Sequence, residues 1–215
     1  MTQINLAPVS KREVRRQARR HMILTVATEY FLENGYSGTT MSEISNALGG
    51  SKGTLWNHFS SKEELFAAFL EAGTSAFRQE MMSTLVPSRA LRPAVETFAR
   101  RFIEKINMPE SLSMYRLIVG ESNRNPEIGR MFYERGPAAV RAILADFLEN
   151  HMKAGRLRNA DPTRAASTLV ALCTGHSHQE ILLGSPLRDR VTMANEARMI
   201  TDEFLRIYAP EDKAP

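Results

Sequence analysis

Apolar side chains recur along this chain at three- and four-residue spacing, the period of an amphipathic helix, and no segment alternates with the period of two expected of a strand. Ile23, Val26, Ala27, Tyr30 and Phe31 place a first helix over roughly 11–34, closed by Asn34-Gly35. Thr40 precedes Met41, Ile44 and Leu48, and Glu43 follows it by three, so a capping box starts a short second helix at Met41. Gly49-Gly50 ends that helix, Ser51 can accept from the free N–H groups of the next, and a third helix runs from about Lys52 to His58.

A second capping box, Ser61 with Glu64, opens a long helix through Leu65, Phe66, Phe69 and Leu70 to about Thr84, before Pro87. Further helices follow Leu91, Val95, Phe98, Phe102 and Ile106, and the segment from Glu110 to Asn123 behind Pro109. Another helix opens at Asn125-Pro126, and Gly136-Pro137 is expected to interrupt it. Val140, Leu144, Phe147, Leu148 and Met152 then mark a helix ended by Gly155. Asp161-Pro162 caps one helix running to about Leu183, and Met193, Ala197, Ile200, Phe204 and Ile207 share a stripe on the last, about 189–208. The expected fold is all-α, with nine or ten helices.

The pair of short helices around Gly49-Gly50 has the form of a helix-turn-helix. On the second of them, at about 100° per residue, Leu55 and Phe59 share a packing face while Gly53 and Asn57 point away, flanked by Thr54 and Trp56. A glycine inside so short a helix costs about 1 kcal/mol relative to alanine, so Gly53 needs a reason. Close approach to another molecule is one; relief of internal packing is the other.

Charge favours the first reason. Residues 1–62 hold eight Lys and Arg against four Glu, and the other residues carry twenty of each sign, so the whole net charge of +4 lies beside the helix pair. That polarity is the footprint of a phosphate-binding end, with the basic half of the first helix as a clamp. Residues 1–10 read as a disordered arm, and the charge split suggests a DNA-binding domain over 1–60 and a larger helical domain over 61–215.

The remaining chemistry is mostly exclusion. One cysteine, Cys173, rules out an internal disulfide framework and reads as a small buried hydrophobe. His176 and His178 sit about 200° apart on a helix and suit a polar core or a subunit interface better than a shared metal, so no metal site and no cofactor are expected. There is no GxSxG elbow, P-loop or GxGxxG, so an enzyme is not expected. No stretch approaches the roughly 18 apolar residues of a membrane span and no signal-type h-region follows the basic stretch, so the expected location is the cytoplasm.

FLENGYSGTTMSEISNAL followed by SKGTLWNHFSSKEEL resembles the TetR family of bacterial one-component transcription regulators, over roughly residues 15–70. The segment MYRLIVGESNRNPEIGRMFYERG resembles its AefR-like and AcrR-like branch, whose members often control efflux genes. The resemblance implies a three-helix DNA-binding domain, a fourth connecting helix and a ligand-binding domain. It also implies a homodimer built on the helices near 162–183 and 189–208.

By position, Lys52, Gly53 and Asn57 then face the DNA groove, with Ser51 at the helix start. Thr40, Trp56, His58 and Lys62 face phosphates, and Thr54 serves either purpose. Gly50 and Trp56 depart from the family's usual apolar residue and tyrosine. The implied effector pocket would draw on Phe98, Phe102, Tyr115, Ile118, Met131, Phe132 and Phe147, and the implied function is a ligand-released repressor of a palindromic double-stranded DNA operator. A sequence-indifferent architectural DNA binder is the alternative, because the basic first helix alone would hold any duplex.

Overall fold

The computed structural model describes residues 10–49 and 52–210, so the expectations for residues 1–9 and for Gly50 and Ser51 lie outside it. Among the described residues every regular element is helical. The chain divides into two compact units, Met1–Leu70 and Glu71–Pro215.

In the first unit, α1 spans Lys11–Gly38, α2 Met41–Ala47 and α3 Lys52–Trp56, and the opening of α4 (Lys62–Thr84) closes it. Ser10, expected in the disordered arm, is the N-cap of α1 and accepts from Glu13 N–H at 3.2 Å. The expected end of α1 at Asn34-Gly35 is a kink rather than a stop. Gly35 takes φ 76°, the left-handed region in which a side chain is strained, and one more turn follows. That turn swings Tyr36 inward onto Phe66, with ring centroids 4.9 Å apart. Phe31 packs edge-on to Phe66 at 4.9 Å and lies 5.7 Å from Phe69, so aromatic rings from α1 and α4 form the centre of the unit. These α4 residues explain why the boundary falls at Leu70 rather than at residue 60.

The second unit is built on α5 (Leu91–Ile106), α8 (Ala139–Lys153), α9 (Pro162–Thr174) and α11 (Arg190–Ile207), with α5 packed chiefly on α11 and α8 on α9. Val95, Phe98, Leu144, Phe147, Leu169, Cys173, Ala197 and Phe204 are among its buried core. Beside them, α6 (Pro109–Ser122) packs on α7 (Pro126–Tyr133).

Two expectations are corrected here. Gly136-Pro137 does not interrupt the chain's helical path. A π turn over Glu134–Ala138 absorbs the proline, which has no N–H to donate, and carries α7 into α8. The guanidinium of Arg78 donates to the carbonyl of Arg135 in that turn at 2.9 Å, supplying a donor to the widened backbone. The single helix expected over 162–183 is instead two, α9 and α10 (His176–Leu182), because Gly175 leaves helical geometry at φ −63°, ψ −117°. The short α10 is held from outside: His178 Nδ1 lies 2.9 Å from Asn107 Oδ1, and Arg116 donates to the carbonyls of Ile181 and Leu182.

Burial keeps the pKa of His178 below the ordinary histidine value, and burial with the neighbouring Arg156 does the same for His151. The folded protein therefore binds fewer protons than the unfolded chain. The stability these groups contribute is complete above the unfolded value near 6.5 and is lost as pH falls toward the folded values. Glu43, Glu63, Glu64 and Asp189, lowered chiefly by hydrogen bonds at helix starts, extend the loss below about pH 4.5. Urea midpoints should fall between pH 7.5 and 5.5 and again below 4.5; a midpoint that rises on acidification contradicts this account.

Candidate nucleic-acid interface

The helix-turn-helix forms as its local chemistry dictates. The Thr40 hydroxyl accepts from Glu43 N–H at 3.2 Å while Glu43 Oε2 accepts from Thr40 N–H at 2.8 Å, the complete capping box. Gly49, at φ 62°, ends α2 in a conformation that other residues adopt only with strain. On α3 and the turn after it, Leu55 and Phe59 are buried, whereas Gly53, Trp56 and Asn57 are exposed and Thr54 and His58 half-buried. The two faces anticipated for this helix are therefore present.

A Cβ added to Gly53 would meet nothing within 4 Å, so internal packing does not demand this glycine. Trp56 is 40% exposed, too open to be a core residue. Of the remaining recognition candidates, Ser51 lies outside the described residues, and Lys52 is placed as the first residue of α3.

Two phosphate candidates are already engaged within the protein. The Lys62 ammonium donates to the carbonyls of Tyr36 (2.9 Å) and Thr39 (3.0 Å) and sits 4.2 Å from the centre of the Tyr36 ring. Two of its three N–H groups thus satisfy carbonyls at the C-terminal end of α1, which ties the ammonium to the protein's own backbone. The Thr40 hydroxyl directs its proton at Glu43 Oε2, 2.7 Å away, so its donor serves the capping box before any phosphate. Lys62→Ala should therefore destabilise the first unit by about 1–3 kcal/mol, since it takes the ammonium from the Thr39 carbonyl and leaves the Tyr36 carbonyl with only the long bond from Thr39 N–H, at 3.4 Å. A thermal melt that does not move would show that water replaces the ammonium at no cost.

What the sequence reading did not single out is the convergence beside His58. A cleft is lined by Arg12, Glu13, Arg15, Arg16, Arg19 and His58, and Arg20 lies across the Phe59 ring at 4.7 Å. The basic half of α1 is therefore brought to the end of α3, through packing that no local pattern encodes.

The effector candidates fall into two groups within the second unit. Phe98 and Phe147 are fully buried, and Phe102 packs against the same core, stacked on Phe98 at 5.4 Å and 6.1 Å from Phe77. Tyr115 and Phe132 pair edge-on at 6.2 Å on α6 and α7, where Ile118 is buried, Met131 half-buried and Tyr115 40% exposed. Tyr115 also meets His178, at 6.2 Å, a contact that depends on the separate α10.

Comparison with known proteins matches residues 23–69 to the description "Bacterial regulatory proteins, tetR family". Residues 93–210 match "AefR-like transcriptional repressor, C-terminal domain", more than half of the chain. The chain belongs to the TetR family. It is similar to a solved TetR-family regulator from Mesorhizobium loti, 30% identical with TM-score 0.79, over 91% of this chain and 98% of that one. It is also similar to a solved structure named flavonoid-responsive regulator FrrA, 31% identical with TM-score 0.78, over 91% of this chain and 99% of that one. The transcriptional activator FasR of Mycolicibacterium smegmatis is 40% identical over 87 residues, which span 39% of this chain and 40% of FasR. TetR-family proteins are DNA-binding transcription regulators that act as dimers, not enzymes. No described helix of this member is long and apolar enough to cross a membrane.

Proposed function

We propose that this protein is a homodimeric repressor that binds a palindromic operator and is released by a small, largely apolar molecule. The observation that carries the reading is the outward face of α3, where Gly53 is open to close approach by a DNA edge and Asn57 is exposed beside it. Asn57 can pair with an adenine edge, Lys52 is assigned to a guanine and Lys62 to a phosphate from the sequence, and the exposed Trp56 suits a phosphate oxygen. The basic residues of α1 add affinity without sequence preference.

Pairing of two copies is supported by Val191 and Met199, which α11 leaves exposed to solvent. Such a dimer presents two recognition helices about one turn of DNA apart, ~34–36 Å. A small apolar effector is supported by the aromatic residues of the second unit and by the flavonoid-responsive relative. It releases DNA by favouring the non-binding arrangement, with a coupling of about 1–3 kcal/mol.

Selection of random duplexes by the purified protein at near-physiological salt tests the reading. A palindrome is expected, and Asn57→Ala should relax the preference at one position in each half-site by about 1–3 kcal/mol. Binding without enrichment would replace this reading with the architectural one.

A further inference from the structure

Around the imidazole of His58, α1 contributes Arg12, Arg15, Arg16, Arg19 and Arg20 against one carboxylate, Glu13, while from α4 Glu64 acts on Arg20. These guanidiniums are only partly committed. Arg20 lies on Phe59, Arg16 is 3.8 Å from Glu13, and Arg19 has the sulfur of Met22 as acceptor at 3.5 Å. Arg12 and Arg15 have no ion pair among the described residues. Among the described residues the cleft thus gathers several cationic donors and one titratable ring against a single carboxylate, the chemistry of a phosphate seat.

We propose that the cleft seats one phosphate of the DNA backbone, gripped by the α1 guanidiniums together with His58 in its protonated form, so that DNA binding takes up a proton. The proposal rests on the DNA-binding reading and specifies where one of its backbone contacts lies. In the free protein, burial and then Arg16, Arg19 and Arg20 hold the His58 pKa below its ordinary value, so the ring is neutral near pH 7. A phosphate among those guanidiniums offsets their field and accepts from the ring, which favours the imidazolium. The complex then binds more protons than the free protein, and affinity rises as pH falls through the range between the two values.

Affinity for a duplex recovered by the selection, measured at pH 8 and pH 6 at constant salt, should be about three- to tenfold tighter at pH 6. His58→Gln, which keeps a donor without a titration, should bind like the parent at pH 8 and lose most of that gain. His21→Gln, altering the other histidine of the first unit, should keep it. Arg15→Gln should weaken binding at both pH values and preserve the ratio. Tight but pH-independent binding, or a gain that survives His58→Gln, overturns the proton-linked seat and leaves the DNA-binding reading standing. Absence of duplex binding at either pH overturns both. Inorganic phosphate supplies the last arm: if it alone shifts the His58 ring resonances as far as the duplex does, the cleft is a seat for free anions and not for DNA.

Discussion

Phe31→Ala is expected to unfold the DNA-binding unit while leaving the larger unit folded. The ring is fully buried and touches Tyr36, Phe66 and Phe69, so its loss empties the point where α1 and α4 meet. Truncating a buried phenylalanine costs about 3–5 kcal/mol. A unit of some seventy residues has little more than that to lose. Far-ultraviolet circular dichroism should show partial loss of helix at a temperature where the parent is intact, followed by a second transition near its parental position, and duplex binding should vanish. One cooperative transition displaced as a whole would mean that the two units do not unfold separately. Retained DNA binding would mean that the aromatic centre matters less to α2 and α3 than its position implies.

Gly53→Ala is expected to separate stability from recognition. The added methyl meets no atom within 4 Å and the residue lies inside a helix, so the folded protein should be unchanged or steadier by up to about 1 kcal/mol. If the operator approaches as closely as the open face allows, the same methyl overpacks the interface. A comparable misfit in a packed core costs about 1–3 kcal/mol, which corresponds to roughly five- to 150-fold in affinity. A melting curve and a binding isotherm on the same preparation decide the matter. Gain in stability with undiminished affinity would remove Gly53 from the interface, and a loss of stability would show a packing role that the structure does not contain.

The parts of this protein legible in its sequence are those written in short stretches of chain. The capping box at Thr40 and Glu43, the opposed faces of Leu55 and Gly53, and the proline-started helices at Pro109, Pro126 and Pro162 each depend on residues a few positions apart. The all-helical fold, and a helix-turn-helix that follows the basic segment along the chain, come from the same local signals.

What escaped the sequence is long-range or geometrically subtle. Lys62 reads as one more surface cation until folding brings it to the carbonyls of Tyr36 and Thr39, more than twenty positions away. His58 reads as a lone donor until α1 arrives beside it. Gly136-Pro137 carries an ordinary breaker signature, yet the helix widens into a π turn and continues, and Arg78 reaches a carbonyl of that turn from elsewhere in the fold. Apolar residues on both sides of Gly175 conceal the end of α9, and His178 packs as intended only because the chain turns there.

Cys173 carries a practical consequence. It is the chain's one thiol, 2% exposed on α9, and burial first, then Glu196, pushes its pKa far above the ordinary range. Thiolate is the reactive species, so alkylation has to wait for water to reach the inside of the helical bundle. The rate at which a small maleimide labels the native protein is therefore a clock for that opening. Any compound that tightens the second unit slows the clock, and any that loosens it speeds labelling, so effectors can be sought by mass shift without knowing a single operator.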